Sequence, residues 1–68
     1  MPLSARNSLA GTIEEITHDA IVCHIVVRVG DHLIESVITR RSADELALKK
    51  GDRVTAVVKA TEVMISKE

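Results

Sequence analysis

A ten-residue run rich in β-branched side chains, AIVCHIVVRV at residues 20–29, constrains this chain more than any other segment. The run predicts a β-strand, because alternate positions form one continuous apolar face: Ile21, Cys23, Ile25, Val27 and Val29. The opposite face mixes two valines with two polar residues: Val22, His24, Val26 and Arg28. A chain this short cannot cover both faces of such a strand, so we expect a second subunit on the outer face.

The small size of the chain leads to the same expectation. Sixty-eight residues form one domain, residues 1–68, and a domain of this size buries only about 60% of the surface that its unfolded chain exposes. Cys23 is the only cysteine, which excludes an internal disulfide and a cysteine-based zinc site. Small domains without either device are commonly stabilised by oligomerisation. We therefore expect a homo-oligomer.

Four more strands are predicted from apolar alternation and turn residues, at residues 9–18, 32–39, 53–60 and 63–66. In the first of them, Gly11 is expected to mark a bulge or a bend. Gly30 and Asp31 predict a tight turn between the strands at residues 20–29 and 32–39.

A short helix is expected between the third and fourth strands. Ser42, with Glu45 three residues later, has the spacing of a capping box, which predicts a helix over residues 43–48 with Ser42 as its N-cap. Gly51 is expected to provide the left-handed stop that follows. Three strands, a short helix and two strands are the order of an OB-type barrel. We therefore expect an all-β fold with one short helix, an OB-fold-like five-stranded barrel that is oligomeric.

The composition argues against several classes of function. Lys and Arg number nine against ten Asp and Glu, and the chain has no Phe, Tyr or Trp. It thus lacks both the basic face and the stacking residues by which OB-type folds bind single strands, and we expect no nucleic-acid partner. No apolar run approaches the ~20 residues that span a bilayer, and no signal peptide is recognisable, so we expect a cytoplasmic protein without a membrane partner.

Catalytic and metal-binding motifs are also absent from the sequence. His18, His24 and His32 do not have the spacing of a metal site, and Cys23 is expected to pack as a small apolar side chain. We expect no enzymatic activity. An OB-fold module that binds nucleic acid or protein, without oxyanion binding, remains the alternative function.

Hydrogen-bond donors cluster at the ends of the predicted elements: Ser4, Arg6, Thr39, Ser42, Lys59 and Thr61. A set of donors without acceptor-only groups suits a small dianion that has several acceptor oxygens. The same residues also fit a simpler interpretation, in which Ser42 only caps the helix and Lys59 is solvated. The residues alone leave both interpretations open.

Two segments, SARNSLAGTI and VTAVVKATEVMI, resemble the molybdenum-binding-protein (Mop, or molbindin) family, and the resemblance extends over essentially the whole chain, including ESVITRRSADELALKKGD. The domain is also similar to the regulatory domains of molybdate-responsive transcription regulators and molybdate-transporter ATPases. The resemblance implies an OB-like barrel that assembles as a hexamer, a trimer of dimers, and binds molybdate or tungstate between subunits. It also implies that no protein atom coordinates the metal.

The resemblance assigns site residues at the positions that match its motifs. Ser4 and Arg6 would come from one chain, and its neighbour would contribute Thr39, Ser42, Lys59 and the backbone N–H of Ala60. Ala5, Asn7 and Thr61 also match and are further candidates. As a single Mop domain without a DNA-binding or ATPase portion, the chain would serve cytoplasmic molybdenum storage and homeostasis.

Overall fold

The structure is a computed structural model that describes residues 6–68. Along the chain it forms strands β1 (Arg6–His18), β2 (Val22–Val29) and β3 (His32–Thr39), helix α1 (Arg40–Glu45), strand β4 (Arg53–Lys59) and a 3-10 helix (Ala60–Glu62). The four strands form one curled antiparallel sheet in the order β3-β2-β1-β4. The predicted mostly-β architecture with a single short α-helix is therefore confirmed for the described residues.

Strand β1 is shared between the two halves of the sheet. Its first half, Arg6 to Thr12, pairs with β4, and its second half, Thr12 to His18, pairs with β2. A Cβ atom on Gly11 would overlap the carbonyl oxygen of Arg28 and lie 2.8 Å from Val27 Cγ1, so the close crossing of β1 over β2 requires glycine. The bulge lies three residues later than expected, where the register shifts across Glu14.

The core lies on the concave face of the sheet and consists of Ile13, Cys23, Ile25, Val27 and Ala43. The predicted inward face of β2 is confirmed at its three central positions. The strand begins two residues later than predicted, because the preceding residues form a turn in which the Asp19 N–H donates to the carbonyl oxygen of Val22 at 2.8 Å. Ile21 consequently stays 78% exposed and does not join the apolar face.

The helix lies three residues earlier than the predicted range of 43–48. Thr39 is its N-cap, because the Thr39 hydroxyl accepts the N–H of Ser42 at 3.0 Å. The helix ends at Glu45 with Leu46 as its C-cap, and Ala47 takes the left-handed conformation that stops it (φ 50°). Gly51, where a positive φ was expected, also has one (φ 94°), but it lies four residues beyond this stop. The N–H groups of Ala47 and Leu48 then donate to Asp44 and Ala43, which is a Schellman ending without glycine.

The fifth strand predicted at residues 63–66 is absent from the described structure. The 3-10 helix at Ala60–Glu62 takes the place of a tight hairpin turn, so the chain does not fold back onto β4. Val63 is extended (φ −90°, ψ 122°), and Met64 and Ile65 are 90% and 89% exposed. The curled sheet therefore keeps two unpaired outer edges, on β3 and β4.

Candidate functional site

The structure separates the predicted site residues into two groups. Ser4 and Ala5 lie outside the described residues. The first group lies where β1 begins and β4 ends, and we call it the cationic end: Arg6, Asn7, Lys59, Ala60 and Thr61. The second group joins β3 to α1, and we call it the hydroxyl pair: Thr39 and Ser42.

At the cationic end, two like charges lie directly opposite each other. Arg6 opens β1 and Lys59 closes β4, and the two residues are register partners. Cross-strand partners project from the same face with Cβ atoms about 4.5–5.5 Å apart, and like charges in this arrangement are destabilising. Both residues are exposed, and neither takes part in an ion pair within residues 6–68. An anion held by both side chains would remove their repulsion.

The neighbours of this charged pair differ in role. The Asn7 side-chain amide donates to the carbonyl oxygen of Val58 at 3.4 Å, a contact that ties β1 to β4. Ala60 and Thr61 begin the 3-10 helix directly after Lys59. Their backbone groups therefore directly follow Lys59 in the chain, and the resemblance expects the Ala60 N–H to act there.

The hydroxyl pair is linked by reciprocal hydrogen bonds. The Thr39 hydroxyl accepts the Ser42 N–H at 3.0 Å and donates its own proton to Ser42 Oγ at 2.8 Å. Because Ser42 Oγ is the acceptor of that bond, its own proton remains available to a further acceptor. Ser42 is thus held by Thr39 as an oriented donor, and the predicted capping role belongs to Thr39.

The two arginines next to the hydroxyl pair each form an ion pair with a carboxylate of the same helix. Arg40 Nε lies 3.2 Å from Asp44 Oδ1, and Arg41 Nε lies 3.7 Å from Glu45 Oε2, both one helical turn apart. These two arginines lie on α1 and do not form an extended basic strip.

One chain cannot bring the two groups to the same small anion. Thr39 pairs with Val22, which lies beside the Cys23–His18 pair at the far end of β1. Strand β1 runs twelve residue steps from Arg6 to His18, a path of about 40 Å at roughly 3.3 Å per step. Curling shortens this distance, but the cationic end and the hydroxyl pair remain at opposite ends of the sheet.

A groove of about 370 Å³ opens between the outer edges of β3 and β4, and it contains none of the predicted site residues. Apart from Glu35, Ser36 and Thr55, its lining is aliphatic, and no cation contributes to it. Such a groove suits an apolar segment and does not suit a dianion.

The other contacts between titratable side chains are isolated pairs. Two hydrogen bonds from the Arg28 guanidinium to the Glu14 carboxylate, at 3.0 and 2.6 Å, lower the pKa of Glu14. His24 Nε2 lies 2.8 Å from Glu35 Oε1, and His18 Nδ1 lies 3.1 Å from the buried Cys23 sulfur. Within residues 6–68, no three His, Cys, Asp or Glu side chains cluster as metal ligands would.

The part of the chain that the structure describes has no helix with the length and apolar character needed to cross a bilayer.

Comparison with known proteins identifies the family. The model of the TOBE domain matches residues 3–65. Molybdenum-pterin-binding protein 1 of Clostridium pasteurianum is 39% identical over 66 residues, which are 96% of this chain and 97% of that protein. The fold also matches a molybdate binding protein from Sporomusa ovata, with a TM-score of 0.91 and 39% identity over 98% of this chain and 100% of that one.

A third comparison includes a bound ligand. The cytoplasmic molybdate-binding protein ModG, in a crystal form with molybdate bound, matches with a TM-score of 0.80 and 36% identity over 88% of this chain and 43% of that chain. These neighbours confirm the OB-like architecture, and the family is one of molybdenum-binding and regulatory domains and not a known enzyme family. The chain therefore belongs to the TOBE-domain family, and the resemblance to the molybdenum-pterin-binding (Mop) proteins found in its sequence is confirmed.

Proposed function

We propose that this chain binds molybdate, or tungstate, an anion of nearly the same size and charge, at sites shared between the subunits of a homo-oligomer. The observation that carries the proposal is the pairing of Arg6 with Lys59 without a carboxylate partner in residues 6–68. The molybdate bound in ModG and the molybdate binding of the Sporomusa ovata protein support the choice of ligand.

The chemistry of the candidate residues matches a tetrahedral dianion. A guanidinium, an ammonium and hydroxyl groups donate to its oxygens, and no protein atom coordinates the metal itself. Hydrogen bonds that involve a charged group contribute about 1.5–3 kcal/mol each. Four of them at the upper end of this range contribute about 12 kcal/mol, which leaves the roughly 8 kcal/mol of micromolar affinity after an association cost of about 4 kcal/mol.

Sharing between subunits follows from the separation of the two groups within one chain. The cationic end of one subunit would meet the hydroxyl pair of another, with the Ser42 hydroxyl as an additional donor. The resemblance instead assigns Arg6 and Lys59 to different chains. Their direct pairing in one sheet favours the division in which both cations come from the same subunit.

The proposed assembly is a hexamer, a trimer of dimers, built from a single Mop domain over residues 1–68. Its proposed role is storage and homeostasis of molybdenum in the cytoplasm, without catalysis and without nucleic acid as a partner. Few side chains are buried among residues 6–68, and the described sheet has unpaired edges; both observations support an assembly of several copies.

Isothermal titration calorimetry with molybdate, tungstate, sulfate and phosphate tests the ligand. We expect molybdate and tungstate to bind far more tightly than sulfate, which is smaller, and than phosphate, whose proton at neutral pH would face donors only. Equal binding of sulfate would contradict the proposal. Heat released by single-stranded DNA, with none from the oxyanions, would favour the alternative of a nucleic-acid module.

Mixed oligomers test how the site is divided. Arg6→Ala subunits are co-folded in equal amounts with Ser42→Ala subunits. If the cationic end and the hydroxyl pair come from different chains, about a quarter of the sites are intact by random pairing and bind molybdate tightly. The matched mixture of Arg6→Ala with Lys59→Ala is expected to restore none, because both cations belong to one chain. Restoration in both mixtures would instead support the division implied by the resemblance, which takes Arg6 from one chain and both Ser42 and Lys59 from the other.

A further inference from the structure

Arg40 joins three segments of the chain beside the hydroxyl pair. It is the first residue of α1 and directly follows Thr39. Its backbone N–H donates to the carbonyl oxygen of Ile21 at 2.7 Å, which continues the pairing of β2 with β3 by one step. Its guanidinium Nη1 donates to the carbonyl oxygen of Asp19 at 3.1 Å, and its Nε donates to Asp44 Oδ1 at 3.2 Å. One residue therefore ties the turn between β1 and β2 to the end of β3 and to α1.

Helix α1 has few other anchors. It is six residues long, and Ala43 is its only buried residue. A helix this short gains little stability from its own backbone hydrogen bonds, so its position depends on contacts with the rest of the fold. Because Ser42 lies on this helix, the contacts of Arg40 contribute directly to where the Ser42 hydroxyl is held.

These contacts require the shape of a guanidinium. Its N–H groups lie in one rigid plane and point in different directions, so a single side chain donates to acceptors in two segments at once. A lysine ammonium has the same charge but concentrates it at one atom on a flexible stem. The adjacent Arg41 makes no comparable contacts, since its side chain is 88% exposed and its Nε lies 3.7 Å from Glu45 Oε2.

We propose that Arg40 is a positioning residue for the molybdate site, which holds the Ser42 hydroxyl in place and does not itself contact the anion. The inference rests on the function proposed above. Two donor atoms of Arg40 already donate to protein acceptors, and Asp44 balances its charge, so Arg40 acts through the hydroxyl pair and not by attracting the anion. A donor that is held in place before the ligand arrives loses less conformational freedom on binding, which favours affinity.

Charge-preserving substitutions of the two adjacent arginines test the proposal. Arg40→Lys removes the planar fork and keeps the charge, and the matched control Arg41→Lys makes the same change one residue later. In calorimetric titration with molybdate, Arg40→Lys is expected to bind roughly 2- to 10-fold more weakly than the unaltered chain, and Arg41→Lys equally tightly. An equal loss in both variants, or a loss in neither, overturns the proposal.

A Ser42→Ala background separates positioning from a general loss of stability. If Arg40 acts through the Ser42 hydroxyl, adding Arg40→Lys to Ser42→Ala lowers the affinity for molybdate by less than about twofold, because the group that it positions is already absent. A full additional loss in this background overturns the proposal, since Arg40 would then act on the anion or on the assembly directly. Sedimentation velocity checks that the compared variants have the same oligomeric state.

Asp44→Ala provides a second test that leaves Arg40 in place. It removes one acceptor of the Arg40 guanidinium, and Glu45→Ala, the matched control, removes the carboxylate beside Arg41. Electrostatic attraction alone predicts that both variants bind molybdate slightly more tightly, because each removes a negative charge. Loss of positioning predicts weaker binding by Asp44→Ala than by Glu45→Ala, and equal or tighter binding by Asp44→Ala overturns the proposal.

The experiments also distinguish this inference from the proposed function. An unaltered chain that does not bind molybdate removes both. An unaltered chain that binds molybdate, with no difference between Arg40→Lys and Arg41→Lys, removes the role of Arg40 alone and leaves the proposed function in place.

Discussion

The pairing of Arg6 with Lys59 predicts that the unliganded protein is less stable than it would be without one of these charges. Arg6→Met removes the guanidinium and keeps a side chain of similar length. Relief of a directly opposed like-charge pair is worth about 0.2–1 kcal/mol. For a domain of this size, that gain raises the melting temperature by roughly 1–8 °C. In high salt the gain should vanish, because the Debye length falls to about 3 Å at 1 M.

Molybdate is expected to reverse this order of stability. At a free concentration of 100 times its Kd, a ligand stabilises the native state by about 2.7 kcal/mol. The Arg6→Met variant loses a charged donor worth about 1.5–3 kcal/mol, so the same molybdate concentration stabilises it by only about 0.3–1.3 kcal/mol. The variant is therefore more stable than the unaltered protein without molybdate and less stable with it.

Arg53→Met is the matched control. Arg53 is exposed on β4, its register partner is the uncharged Thr12, and it forms no ion pair within residues 6–68. Thermal unfolding is followed by far-ultraviolet circular dichroism at one protein concentration, since the chain lacks aromatic residues. The reasoning is refuted if Arg6→Met is the less stable protein without molybdate, or if molybdate stabilises it as much as Arg53→Met.

Three further substitutions test the fold. Gly11→Ala forces a methyl group against β2 and is expected to destabilise the protein by about 1–3 kcal/mol in urea unfolding; an unchanged midpoint would contradict the close crossing. Ala47→Gly relieves the left-handed conformation at the end of α1, and we expect a gain of about 0.5–1 kcal/mol in the same assay. Glu14→Gln concerns acid stability. Because Arg28 lowers the pKa of Glu14, this carboxylate stabilises the fold above its ordinary pKa near 4.5 and loses that effect as the pH falls through the lowered value. Between pH 7 and pH 3 the variant should lose less stability than the unaltered protein or Glu15→Gln, and equal losses would count against the ion pair.

Local patterns in the sequence were enough to predict most of the sheet. Alternation placed Cys23, Ile25 and Val27 on the buried face, and Gly30 marked the tight turn between β2 and β3, where it has a φ of 61°. These features depend on residues close together in the chain, through side-chain period and backbone freedom. The resemblance of the two terminal motifs then identified the family.

Local patterns were ambiguous where two residues offer the same chemistry. Thr39 and Ser42 lie three positions apart, and threonine and serine are both common as N-cap residues. The structure selects Thr39, because β3 ends there and its hydroxyl reaches the Ser42 N–H. In the same way, the bulge lies at Glu14 and not at Gly11, since glycine is needed instead for the close crossing over Arg28.

Only the tertiary structure decided how the candidate site residues are grouped. Arg6 and Lys59 lie at opposite ends of the chain, and they become neighbours because the first half of β1 pairs with β4. The curled sheet also places the hydroxyl pair at the opposite end from the cationic end. The 3-10 helix after β4 directs residues 63–66 away from the sheet that they were expected to join. Strand register and the direction in which a chain leaves a sheet depend on packing between distant segments, and the period of a local pattern carries no information about either.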